Sequence, residues 1–148
     1  MKSWPDFDNK GDLPVGVHEA ALADVVRHFG VGSPQRRVVA RRLSRIYESA
    51  AGTGHLYRFI VFGSFITSKP DPNDVDIFLL MDDAFSLGEI SGETRIIFDH
   101  LKAQEVEGAS VFWLKKSGAI GGEQAAVEDW QIRRDRRRRG IVEVVGRD

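Results

Sequence analysis

Phe62-Gly63-Ser64-Phe65-Ile66-Thr67-Ser68-Lys69-Pro70-Asp71-Pro72-Asn73-Asp74-Val75-Asp76-Ile77 is the stretch that decides the reading. It is bounded by two apolar runs. Tyr57 to Phe62 is aromatic and β-branched, as a buried strand requires. Val75 to Met81 predicts a second strand. Nine residues separate Ser64 from Asp74. Side chains two apart on a strand share a face, so the spacing predicts that Asp74 and Asp76 project together beside a buried run. Two like charges about 4 Å apart repel by roughly 4 kcal/mol at an effective dielectric of about 20. A shared proton or a divalent cation relieves that repulsion, and Mg²⁺ takes one or two carboxylates together with phosphate oxygens. Gly63 permits close backbone approach, Ser64 offers an N–H and a hydroxyl to a phosphate, and Lys69 adds a point charge. The bland alternative is a strand end followed by a turn rich in Pro, Asn and Asp. Either half alone says little; together, between two apolar strands, they favour a site.

Outward from this stretch, Met1 to Val17 reads as an irregular lead-in broken by Pro5, Gly11, Pro14 and Gly16. Residues 18–29 suit a short helix, with Leu22, Val25, Val26 and Phe29 at helical spacing. Ser33 and Pro34 open a second helix as N-cap and first position, and Val39, Leu43, Ile46, Tyr47 and Ala50 form its apolar stripe. Arg37, Arg41 and Arg45 lie on another face of it. A third helix is expected over roughly 92–104 and a strand over 109–114. Residues 118–122 read as a loop, and a short helix can follow around 123–129. Residues 130–145 can form a C-terminal hairpin with an Arg-rich tip. The expected fold is α/β (α+β), a small mixed β-sheet with helices packed on one face, in a single domain over 1–148.

The formal net charge is −1, so overall charge selects no partner. Its placement is uneven: residues 133–139 carry +5, against −6 elsewhere. Arg136, Arg137, Arg138 and Arg139 are therefore candidates for a polyanion such as RNA, DNA or triphosphate, against the alternative of a solvated tip. The chain has no cysteine, which excludes disulfides and thiolate metal sites. It shows no signal-peptide pattern and no apolar run of the ~20 residues that span a bilayer, so a cytoplasmic protein with no membrane partner is expected.

The apolar strand, Gly63-Ser64, the gap and Asp74-Val75-Asp76 resemble the nucleotidyltransferase superfamily, which includes polymerase-β-like enzymes and minimal bacterial antitoxin-type transferases. The resemblance covers residues 58–80 directly. It implies transfer of a nucleotidyl group from an NTP, with ATP the expected one, to a protein or RNA hydroxyl. Asp74 and Asp76 would be the catalytic Mg²⁺ ligands, and Gly63, Ser64 and Lys69 would hold phosphate. The opening Gly11 to Ala20 and the ending Trp130 to Val142 are similar to a bacterial family of small uncharacterised proteins. The superfamily needs a third carboxylate on a later strand. Here the matching strand offers Ser110, with Glu105 and Glu107 just upstream. The alternative function is a catalytically weakened nucleotide-binding or partner-binding module of a toxin–antitoxin or phage-defence system.

Overall fold

The computed structural model describes residues 2–133 and 135–146. Five strands form one mixed sheet in the order β1-β5-β2-β3-β4. They are β1 (Val17–Ala20), β2 (Leu56–Phe62), β3 (Val75–Met81), β4 (Ala109–Lys115) and β5 (Ile141–Val144). The helices are α1 (Leu22–Phe29), α2 (Pro34–Gly52), the short α3 (Gly92–Ile96) and α4 (His100–Lys102), and α5 (Glu123–Glu128). The α+β class and the mixed sheet are as expected.

The strand alternation divides the core. Val75, Ile77, Leu79 and Met81 of β3 join Phe59 and Val61 of β2 against the stripe Val39, Leu43, Ile46 and Ala50 of α2. Phe78, Leu80 and Ile60 face the other way, onto Val127 of α5 and Trp130. The long helices thus share one face, while α5 covers part of the opposite one. Ser33 caps α2 as its residue type demands, accepting the Arg36 N–H at 3.1 Å.

Three boundaries differ from the sequence reading. Val17 to Ala20, most of which was assigned to the first helix, instead pairs with β5 in parallel, and Ala21 is still extended (ψ 154°). The apolar spacing of residues 22–29 is helical, but Glu19 and Ala20 precede it. The expected helix over 92–104 is broken, because Asp99 caps a new turn by accepting the Lys102 N–H. That turn widens into a π-turn over Ala103–Glu107. Among the described residues the C-terminal hairpin shrinks to one antiparallel bridge, Ile132 to Arg138. The returning strand β5 takes its partners from β1 and β2 instead.

Candidate functional site

Gly63 ends β2 with φ +84°, in the left-handed region that disfavours side chains. A Cβ there would overlap the Asp76 carboxylate and lie 2.8 Å from its Cγ. The close approach follows from register, since Phe62 pairs with Asp76 across β2 and β3. Ser64–Ile66 then makes a single 3-10 turn. Thr67 closes it, with its hydroxyl donating to the Ser64 carbonyl at 2.7 Å and accepting the Lys69 N–H at 3.2 Å.

The loop is held from below by Arg36 of α2, which is buried. Its guanidinium donates to four backbone carbonyls: Phe29 at 3.0 Å, Phe65 at 2.7 Å, Thr67 at 2.6 Å and Lys69 at 2.5 Å. Burial pushes this guanidinium below its ordinary pKa, and the nearby charge of Asp71 opposes the shift. The sequence reading passed over Arg36. Its signal was available: residue 36 lies three before Val39 and seven before Leu43, on the inward stripe.

A cleft of about 900 Å³ opens over this turn. Gly63, Ser64, Thr67, Ser68, Lys69, Asn73 and Asp76 line one part of it, and Lys10, Asp12, Arg133, Asp135 and Arg139 another. Four of the five expected metal and phosphate residues, Gly63, Ser64, Lys69 and Asp76, are therefore brought together. Asp74 is not among the lining residues. It sits one residue ahead of β3, half-buried, where strand alternation has not begun. Asn73 lines the cleft in its place.

The lead-in and the Arg run meet here, which no short-range pattern announced. Trp130 stacks on Phe62 at 4.5 Å between ring centroids, so the chain after it arrives beside the Gly63 turn. Buried Gln131 accepts the Gly16 N–H at 2.6 Å, and the Gly140 N–H donates to the Leu13 carbonyl at 2.9 Å. Arg133 and Arg139 both reach Asp12, at 3.0 and 3.5 Å. Arg137 instead pairs with Asp135 at 2.8 Å. Arg136 and Arg138 are exposed and outside the cleft lining. Arg134, also in the run, lies outside the described residues.

In β4, Ser110 is the register partner of Asp76, on the strand where a third carboxylate was sought. Its hydroxyl accepts from Gln104 at 3.2 Å, and Ser110 stands beside Asp76 without lining the cleft itself. Glu107 is buried against Arg45 at 3.3 Å, Glu105 is exposed, and neither lines the cleft. Among the described residues, no group of three or more His, Cys, Asp or Glu is placed to hold a metal ion. Among them, too, no helix is long and apolar enough to cross a membrane.

Fold and site thus define an α+β chain with a basic, glycine-floored cleft at one end of its sheet. Residues 5–145 match the model of a family of unknown function (DUF6932), and the chain belongs to that family. No curated protein and no solved structure matches it.

Proposed function

We propose that the chain binds an NTP, with ATP the first candidate, as its Mg²⁺ complex in this cleft, and that it is a nucleotidyltransferase-type module with weakened transfer chemistry. The observation that carries the reading is the row Phe62, Asp76, Ser110 across three strands, with Gly63 packed on the Asp76 carboxylate. This row supports an oxyanion- and cation-binding turn at one position and a neutral hydroxyl where a second metal would need charge.

The donor set fits a metal that arrives on phosphate. Mg²⁺ accepts one or two protein carboxylates when phosphate oxygens and waters complete its shell. Asp76 would hold it, with Asp74 two residues upstream as the weaker candidate. Bound there, the ion would neutralise charge on the phosphates. Ser64 offers a hydroxyl and an N–H to a phosphate oxygen, and Lys69 a point charge. Ser110 is neutral and gives an attacking protein or RNA hydroxyl no anionic partner. A second reading, full transferase activity, is favoured by Asp135, a carboxylate that lines the same cleft.

Calorimetric titration with ATP tests binding. Affinity should rise with Mg²⁺ in the wild type, and Asp76→Asn should lose about tenfold or more, as a charge-assisted contact is removed. Equal affinities for both proteins would refute the metal assignment. Transfer from α-labelled ATP should be slow in the wild type and faster in Ser110→Asp. A wild type that is already fast, and that Asp135→Asn inactivates, would favour the second reading.

A further inference from the structure

The geometry points to a metal-independent polyphosphate site in the same cleft, built by Arg133 and Arg139 on the buried carboxylate of Asp12, with Lys10 and Lys69 beside them. The inference rests on the nucleotide reading only for the identity of the whole ligand. It names the polyphosphate as the part this wall takes, and it does not need Asp76.

Asp12 is only 4% exposed, yet it is met by two guanidiniums, one at each oxygen. Its position is fixed locally. The Asp8 carboxylate accepts the Asp12 N–H at 3.0 Å, and the Ser68 N–H donates to the Gly11 carbonyl at 2.9 Å. At Gly11, a Cβ would overlap the Ser68 hydroxyl, so the lead-in lies directly on the phosphate loop. The two arginines are converged by the Ile132–Arg138 bridge and by the Arg139 N–H donating to the Gln131 carbonyl at 2.9 Å. One arginine would suffice to neutralise Asp12 as a structural staple. Asp135, 4.0 Å from the Arg133 Nε, offsets the second, so the net positive charge of this wall comes from Lys10 and Lys69, while both arginine side chains stay partly open to the cleft at 30% and 19% exposure. A guanidinium carries five N–H donors, and each of these meets Asp12 through one terminal nitrogen. The remaining edges suit phosphate oxygens. Lys10 and Lys69, both exposed, add cationic groups to the same lining.

The Arg run is thereby split. Arg133 and Arg139 turn into the cleft, and Arg136 and Arg138 face solvent. A surface for RNA or DNA would use the outward pair and respond to charge wherever it lies. A polyphosphate site uses the inward pair and responds to position.

Calorimetry with inorganic tripolyphosphate, without divalent metal, on the full chain tests this. The wild type should bind. Arg133→Gln and Arg139→Gln should each weaken binding by about tenfold, and Arg136→Gln and Arg138→Gln, with the same loss of charge, by less than about twofold. Because the inward substitutions strip a buried carboxylate of a partner, Lys10→Gln and Lys69→Gln serve as variants that leave the Asp12 cluster intact, and each should weaken binding by about threefold or more. Asp76→Asn should leave tripolyphosphate binding in place while lowering Mg²⁺-dependent ATP affinity. Full retention of tripolyphosphate affinity in the Lys10 and Lys69 variants would overturn the inference. So would equal losses from inward and outward arginines, or no binding by the wild type. If instead Asp76→Asn leaves Mg²⁺–ATP affinity unchanged, the metal reading falls and the polyphosphate site stands.

Discussion

Gly63 shows how closely a single residue can be specified. Its φ of +84° already disfavours any side chain, and the space a Cβ would need is filled by the Asp76 carboxylate. Gly63→Ala should therefore cost about 2–4 kcal/mol in urea denaturation, backbone strain plus overlap. Adding Asp76→Ala should recover part of that loss, because the overlap goes and the strain remains; a strictly additive double variant would show that the two do not touch. The sequence marked Gly63 for close backbone approach and Asp76 as a site carboxylate; their contact with each other comes from the register of β2 on β3, which local spacing does not give. Asp74 falls outside the cleft lining, and it stands one residue before the strand from which alternation was counted. Asp12 was invisible, since its partner Arg133 is 121 residues away and nothing in the Asp8–Asp12 turn announces a long-range ion pair.

At the level of elements, α2 does more than cover the sheet. Its N-terminal turn sends Arg36 under the loop that follows Gly63, replacing the water that four carbonyls would otherwise bind. Arg36→Met keeps much of the buried volume but leaves those acceptors dry. It should cost about 3 kcal/mol, since each buried unsatisfied group is expensive and some will re-find water. Arg36→Lys should lose less. Amide exchange of residues 64–69 should accelerate more than that of β3, and uniform acceleration would mean that Arg36 supports the whole fold rather than this loop. Helix α2 was readable from its Ser33 cap, Pro34 and apolar stripe, because those are signals of a long periodic segment. The C-terminal hairpin failed as an expectation because β5 has a choice of partners. Its pattern is satisfied by β1 and β2 in mid-sheet, and no local rule ranks them above the segment just before it.

For the whole molecule, a formal net charge of only −1 hides a lead-in fastened by groups that titrate on the acid side. His28 keeps an exposed edge, but its packing on Trp4 and Phe29 partly withdraws it from water and lowers its pKa below its ordinary 6.5, with the Arg36 charge adding to the effect. The ring stacks on Trp4 at 5.0 Å, which ties the N-terminal segment to α1. Asp8 is held below its ordinary 3.8 chiefly by the N–H groups of Asp12 and Lys10, Asp83 by that of Ser117, and Asp135 by that of Arg137. In every case the folded value lies beneath the unfolded one, so the unfolded chain binds more protons and stability is lost as the pH is lowered. The His28 contribution is intact above about pH 6.5 and is lost as pH drops through its lowered folded value; the carboxylate contributions begin to go only below about pH 4. Unfolding free energy measured in urea should thus decline in two stages on acidification. Histidine 28 accounts for the upper stage, so His28→Phe, which keeps an aromatic ring against Trp4, should be flat between about pH 7 and pH 5 where the wild type slopes. A variant with the wild-type slope would place the upper titration elsewhere. The lower stage bears on the site itself, because protonating Asp8 weakens the turn that presents Asp12 to Arg133 and Arg139. Tripolyphosphate affinity in the His28→Phe chain should first ease at about pH 6 as the ligand's terminal phosphates are protonated, and then drop again below about pH 4 as Asp8 is protonated, before global unfolding is complete.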